Sequence, residues 1–142
     1  TPGRLVDRFD KENTYIICLR GKQLLGMVAV RGKRPFSLDE RLGNCDVYLP
    51  PGRSACEIRL LAVGREHRKG PVFYGLLIRL AQYCKEQSYD IAVISGLVQQ
   101  QKLYEHLGFV PCGRYVGTAD ALVQPMYLTL EMFGEKAKSW RR

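Results

Sequence analysis

Histidine is scarce in this chain, long apolar runs are missing, and the cysteines show no pairing pattern. Only two histidines occur in 142 residues, and the five cysteines (Cys18, Cys45, Cys56, Cys84 and Cys112) are an odd number with no CxxC spacing. Structural zinc needs clustered Cys and His ligands, and a disulfide framework needs an even, regularly spaced set. The expectation is therefore no metal and reduced, buried thiols. No uninterrupted apolar run approaches the roughly 20 residues that cross a bilayer, and the opening TPGRLVDRFD lacks the apolar segment of a signal peptide. A soluble, cytoplasmic domain with no membrane span is expected. Internal repeats and low-complexity segments are also lacking.

What is present is a chain of 142 residues, 46% hydrophobic, with a net charge of +8. That length and apolar content predict one domain over residues 1–142, with its core in 14–133. The positive charge would suit nucleic acid, a membrane surface or a polyanionic cofactor, so position has to choose among them. The aromatics are not interleaved with bases along a strand pair and no nucleic-acid-binding motif occurs, so no nucleic-acid partner is expected.

ENTYIICLRGKQLLGMVAVRG reads as a strand (Thr14 to Leu19), a turn at Arg20, Gly21 and Lys22, and a second strand (Leu24 to Val30). Residues 32–55, rich in Pro and Gly, show little periodicity beyond a possible short strand at 47–49. CEIRLLAV alternates as a strand, with Ile58, Leu60 and Ala62 on one face and Glu57, Arg59, Leu61 and Val63 on the other. Phe73, Leu76, Leu77, Leu80 and Cys84 then fall at helical spacing after Pro71, a residue suited to a first turn. IAVIS at 91–95 reads as a strand buried on both faces, which makes the intervening helix the crossover of a parallel β-α-β unit. A second helix ends at Leu107-Gly108, and Phe109 to Tyr115 and Met126 to Phe133 read as closing strands, followed by a solvated tail. The predicted class is α+β, a mixed, mostly antiparallel sheet with a central parallel β-α-β step.

The loop before the long helix places Arg65, His67, Arg68 and Lys69 beside Gly70 and a helix N-terminus. Cations, free amides and the positive end of the helix dipole would converge there on an anion.

On Glu57-Ile58-Arg59-Leu60-Leu61-Ala62-Val63, the basic loop His67-Arg68-Lys69-Gly70 and Leu103-Tyr104-Glu105-His106-Leu107-Gly108-Phe109, the chain resembles the GCN5-related N-acetyltransferase superfamily. By element order the resemblance spans roughly residues 14–133. It departs in two places. The family's phosphate loop reads Q/R-x-x-G-x-G/A, whereas here His67 stands first and Val72 last, and the shifted alignment from Arg68 ends on Phe73; Pro71 supplies no amide. The family also precedes the hairpin with a strand and two helices, for which about 13 residues are too few at 1.5 Å per helical residue. The expectation is a piece of a longer polypeptide, with a fused catalytic domain possible in the full chain.

The resemblance implies an N-acyltransferase that moves an acetyl or other short acyl group from acetyl-CoA or another acyl-CoA to the primary amine of a small-molecule or amino-acid-like acceptor. Leu61, Ala62 and Val63 would hold the pantetheine arm, and His67, Arg68, Lys69, Gly70, Val72 and Phe73 would surround the phosphates. Glu57 would be the base, directly or through water, and Tyr104 the acid that protonates the departing thiolate. Two alternatives stand beside this. One is a long-chain transferase using acyl-CoA or acyl carrier protein, its chain held by Phe36, Leu38, Val47, Tyr48 and Leu49, with Val72 and Phe73 crowding the phosphates. The other is a non-catalytic acyl-CoA-binding accessory domain.

Overall fold

The β-branched and leucine-rich stretches on either side of Gly21 pair as a hairpin. Strands β1 (Thr14–Arg20) and β2 (Gln23–Arg31) run antiparallel, with Tyr15 opposite Ala29 and Ile17 opposite Met27. Gly21 takes φ +59° in the turn, a conformation open to glycine at no steric cost. A computed structural model describes residues 12–68, 70–118 and 120–139 of the chain. After the hairpin come α1 (Ser37–Leu42), β3 (Ala55–Val63), α2 (Pro71–Glu86), β4 (Ile91–Leu97), α3 (Gln101–His106), β5 (Val110–Pro111), β6 (Val123–Thr129) and α4 (Leu130–Ser139).

The six strands form one sheet in the order β1-β2-β3-β4-β6-β5. Only β3 and β4 pair in parallel, so the sheet is mixed with its parallel step in the middle, and α2 is the crossover. Helix α2 buries Phe73, Leu76, Leu77, Leu80 and Cys84 against one face, here called the back, where they meet Val28, Val30, Cys56, Ile58 and Ile94. Each such apolar side chain removed from water contributes about 1.5–3 kcal/mol, far more than helix propensity supplies. Tyr104 and Leu107 of the α3 region and Phe133 of α4 join this back layer.

The front face is covered unevenly. Phe36 and Leu38, 0% and 1% exposed, pack with Cys45 and Val93 over the β3–β4 part of the sheet. Over the hairpin half, Tyr15 and Ile17 of β1 stay exposed.

Three sequence expectations are corrected. Residues 47–49 are not a strand, because Cys45–Tyr48 form a 3-10 turn whose Asn44 side chain accepts from the Asp46 amide at 3.0 Å. The stretch 32–55 also holds a short helix, α1. The closing strands are shorter than expected: β6 ends at Thr129, whose hydroxyl accepts from the Met132 amide at 3.1 Å and starts α4, while Glu131 in its first turn meets Arg53 at 3.1 Å. The tail through Ser139 is therefore helical. Beyond Cys112, whose amide still bonds the Pro125 carbonyl at 2.9 Å, the described residues leave the sheet and return at the isolated Val116–Val123 bridge.

The front loop is fastened by Asp39, which accepts from the Phe36 amide at 2.7 Å and the Cys45 amide at 3.0 Å and pairs with Arg34 at 3.0 Å. Burial alone would raise the Asp39 carboxyl, but those amides and Arg34 hold it below its ordinary value. Burial, with the Asp39 carboxylate beside it, pushes the Cys45 thiol up to about 12. The signs follow from which state binds protons more tightly. Asp39 contributes stability above its unfolded value near 3.8, and this is lost as pH falls through the lower folded value. Cys45 ionises first in the unfolded chain, so stability declines as pH rises from about 9 toward 12. Urea midpoints measured from pH 2 to 11 should fall at both ends, with Asp39→Asn flattening the acid limb and Cys45→Ala the alkaline limb.

Candidate functional site

The parallel pairing of β3 with β4 runs only from Ala55–Ile91 to Ile58–Ile94 and then stops, although β3 stays paired with β2 as far as Val63 and β4 with β6 as far as Leu97. The cause lies in β3. Ala29 faces Leu60 while Val30 faces Ile58, so Arg59 is an extra residue, a bulge that turns the strand away from its parallel neighbour. A wedge-shaped gap opens from the Ile58–Ile94 rung toward the C-terminal ends of both strands.

Backbone alternation decides which groups line the gap. Gly64 donates to the Leu25 carbonyl at 3.1 Å, which sets the ladder so that Leu60 and Ala62 bond toward β2 and Leu61 and Val63 turn their backbone groups to the gap. Ala62, one of the expected pantetheine contacts, thus spends its backbone on β2. On β4, Leu97 and the Ser95 carbonyl face the gap from the other side. Ser95 also carries a buried hydroxyl with no hydrogen-bond partner among the described residues.

The mouth of the gap adjoins the α2 N-terminus. Gly70 is the N-cap, with no side-chain cap and no acidic residue in the first turn, and its carbonyl accepts from Tyr74 at 3.3 Å. Pro71 has no N–H, so the orphaned donors are the amides of Val72 and Phe73. The chain reaches them through a 3-10 turn, Arg65–His67, with Arg65 and Arg68 exposed; Arg68 Nε bonds the Val63 carbonyl at 3.4 Å. His67 is half-buried beside Glu66 at 3.7 Å. Lys69 lies outside the described residues. Phe73, which together with Val72 would crowd this seat in the long-chain alternative, has its ring 3% exposed, turned into the back core and edge-on to Tyr74 at 5.6 Å, because helical spacing points it with Leu76 and Leu77.

Glu57 is not the surface carboxylate its charge suggests. It is 1% exposed on the front side of β3, and its oxygens accept from the Ser37 amide at 3.1 Å, the Ser37 hydroxyl at 2.6 Å, the Leu38 amide at 3.4 Å and Arg59 at 3.3 Å. Arg59 also donates to the Ser37 hydroxyl at 2.7 Å, while Arg53 turns away to Glu131. The carboxylate fastens the first turn of α1 to the sheet one residue before the gap opens. Sequence reasoning missed Ser37 as its partner; the S-x-x-E spacing of Ser37 and Glu40 was the available sign of a helix start.

Tyr104 lies on the opposite, back side. Its ring packs edge-on to Phe109 at 5.8 Å and fills the place where a side chain on Gly96 would stand, 2.9 Å from that site. Gly96 is the other residue missed: only glycine lets the phenol lie beneath the end of β4. The Tyr104 hydroxyl bonds Gln100 Oε1 at 3.2 Å, and burial raises its pKa, keeping it protonated. Glu57 and Tyr104 thus stand on the two faces of the sheet with the gap between them. Among the described residues no cluster of three or more His, Cys, Asp and Glu could hold a metal ion, and no helix is long and apolar enough to cross a membrane.

No protein-family model matches this chain, and no curated protein matches it in sequence. Solved structures do match. The N-acyl amino acid synthase FeeM from uncultured soil microbes shares 20% identity over 88% of this chain and 76% of its own, with a TM-score of 0.69. The CoA-dependent acyl-homoserine lactone synthase BjaI, solved with SAM and isopentyl-CoA, shares 19% over 98% of this chain and 70% of its own, with a TM-score of 0.75. An aminoglycoside 6′-N-acetyltransferase complexed with coenzyme A shares 12% over 86% and 75%, with a TM-score of 0.62. The chain therefore has the fold of the GCN5-related N-acetyltransferases and related acyltransferases.

Two substitutions probe this geometry. Glu57→Ala strands two α1 amides and Arg59 around a missing buried anion and should lower the unfolding free energy by about 3–5 kcal/mol in urea titrations. Gly96→Ala forces the Tyr104 ring aside and should cost about 1–3 kcal/mol, relieved when combined with Tyr104→Ala.

Proposed function

We propose that this chain is an N-acyltransferase that takes an acetyl or other short acyl group from acyl-CoA and passes it to the primary amine of a small, amino-acid-like acceptor. The observation that carries the reading is the gap beyond Ile58–Ile94 opening beside the uncapped, cation-flanked start of α2. A pantetheine arm can add to the gap as a short third strand, bonding the backbone groups of Leu61 and the Val63 amide, while the pyrophosphate meets the Val72 and Phe73 amides with Arg65 and Arg68. The Leu61 amide and the Ser95 hydroxyl are the donors that flank the thioester carbonyl, where negative charge grows during attack.

Proton traffic follows the two faces. The acceptor enters from the front, over the bare hairpin half, and attacks the thioester in the gap. The thiolate departs on the back, where Tyr104, kept protonated by burial, delivers its phenolic proton. Glu57 both anchors the front wall and ends the proton path: the proton of the attacking amine passes through water to the Ser37 hydroxyl, which hands its own proton to the Glu57 carboxylate it already bonds.

Two side-chain placements bear on the length of the acyl chain. The Phe73 ring leaves the phosphate seat open, and of the five residues offered to a long chain Phe36 and Leu38 are consumed in the front core, which leaves only Val47, Tyr48 and Leu49 on the surface. Both favour a short acyl-CoA over a long chain or a carrier protein.

Calorimetry with acetyl-CoA should show binding that weakens by tenfold or more in Arg65→Ala/Arg68→Ala, and octanoyl-CoA should bind no more tightly than acetyl-CoA. Absence of binding by any acyl-CoA at millimolar concentration would overturn the donor. With binding in hand, Tyr104→Phe should lower coenzyme A release in the presence of primary amines by about 10²-fold while leaving acetyl-CoA affinity unchanged. Unchanged turnover would return Tyr104 to a packing role.

A further inference from the structure

Cys56 and Cys84 take no part in the proposed transfer, yet they meet inside the back layer. Their sulfurs are 3.8 Å apart, one on β3 and one on the last turns of α2, and both residues are buried with free thiols. Cys56 directly precedes the anchor Glu57 and stands two residues before the rung where the gap opens. Cys84 lines a half-open apolar cavity of about 40 Å³ between α2 and α4, together with Leu80, Ala81, Tyr89 and Phe133. A cavity of that size admits a molecule little larger than water. The contact from Cys56 lowers the Cys84 thiol despite its burial, whereas that same contact and burial hold Cys56 well above the ordinary thiol range. Cys84 is the sulfur that a small oxidant in the cavity meets first, with Cys56 directly behind it.

We propose that Cys56 and Cys84 form a reversible dithiol–disulfide site that reacts with hydrogen peroxide admitted through the α2–α4 cavity. The Cys84 thiolate attacks one peroxide oxygen, the O–O bond breaks, and the departing hydroxide takes a proton, leaving Cys84 as a sulfenic acid and releasing one water. The Cys56 sulfur then attacks the Cys84 sulfur. The S–S bond forms, the S–O bond breaks, and the hydroxide leaves with the Cys56 proton as a second water. Two thiols are oxidised and one peroxide is reduced to two waters, with no further reactant.

Bond formation requires the sulfurs to close from 3.8 Å to about 2.05 Å, a movement shared between β3 and the end of α2. The cross-link then ties the strand that carries the Glu57 anchor to the helix whose other end faces the gap. This site is independent of the acyltransferase reading, and its test uses no acyl donor or acceptor.

The full chain, reduced and then exposed to a small molar excess of hydrogen peroxide without denaturant, is alkylated with iodoacetamide and digested with trypsin under non-reducing conditions. The expected product is the peptide 54–59 joined to the peptide 80–85, lighter by two hydrogens than the two thiol peptides together. Two of the five thiols should be lost and recovered by dithiothreitol, and the oxidised protein should melt several degrees higher because the unfolded chain is constrained. Cys84→Ser should keep its melting transition and form no intramolecular disulfide. The proposal is overturned if Cys18 or Cys112 oxidise while the joined peptide is absent, or if it appears only after the protein is unfolded.

Discussion

The bulge at Arg59 governs this molecule. Without the extra residue β3 would continue alongside β4, its backbone groups would be satisfied by the neighbouring strand, and the sheet would be closed where it is now open. Backbone groups without a strand partner inside a sheet are costly, and the fold keeps them at Leu61, the Val63 amide, the Ser95 carbonyl and Leu97, while Arg68 takes the Val63 carbonyl. The gap is stable because β2 and β6 still hold the outer sides of the two diverging strands.

Two sets of contacts keep the gap at its position. On the front, the Glu57 carboxylate joins β3 to the first turn of α1 through Ser37 and Leu38, and Arg59, the bulge residue itself, closes the same network. On the back, α2 presses Phe73, Leu77 and Leu80 against the sheet and brings its uncapped N-terminus to the gap's mouth. A buried carboxylate is destabilising unless its charge is matched. Here two amides, a hydroxyl and a guanidinium match it, so the polar network fixes one register of α1 on the sheet. The back layer supplies most of the apolar burial and the front network supplies the geometry.

Much of the fold was legible because the elements that define it carry strong periodic signals. The hairpin, the Phe73-to-Cys84 spacing and the IAVIS run fixed the mixed sheet and its parallel step. The parts that were not legible depend on single contacts that span the chain. Residues 47–49 have strand-forming composition, yet Asn44 and Asp39 capture the amides just before them and turn the chain into a 3-10 helix. Leu130, Met132 and Phe133 extend the apolar pattern of the strand, but the Thr129 hydroxyl starts a helix there. At the site, the basic loop and helix start could be read from residue types alone. The burial of Glu57 could not, because Ser37 and Leu38 lie about twenty residues earlier, and at Phe73 the ring belongs to the core while the backbone amide stays at the helix start. Nothing in the sequence around Gly96 signals the Tyr104 ring that lies beneath it.

The central claim is that the gap between β3 and β4, together with the start of α2, is the seat of a coenzyme A donor. Amide hydrogen exchange resolved by residue, with and without saturating coenzyme A, tests it most directly. The account predicts that Leu61, Val63, Val72 and Phe73, whose amides have no strand or helix partner, become strongly protected, while amides lining the α2–α4 cavity, such as Ala81 and Phe133, do not change. Protection confined to the cavity, or none at the four gap and helix-start amides, would contradict it.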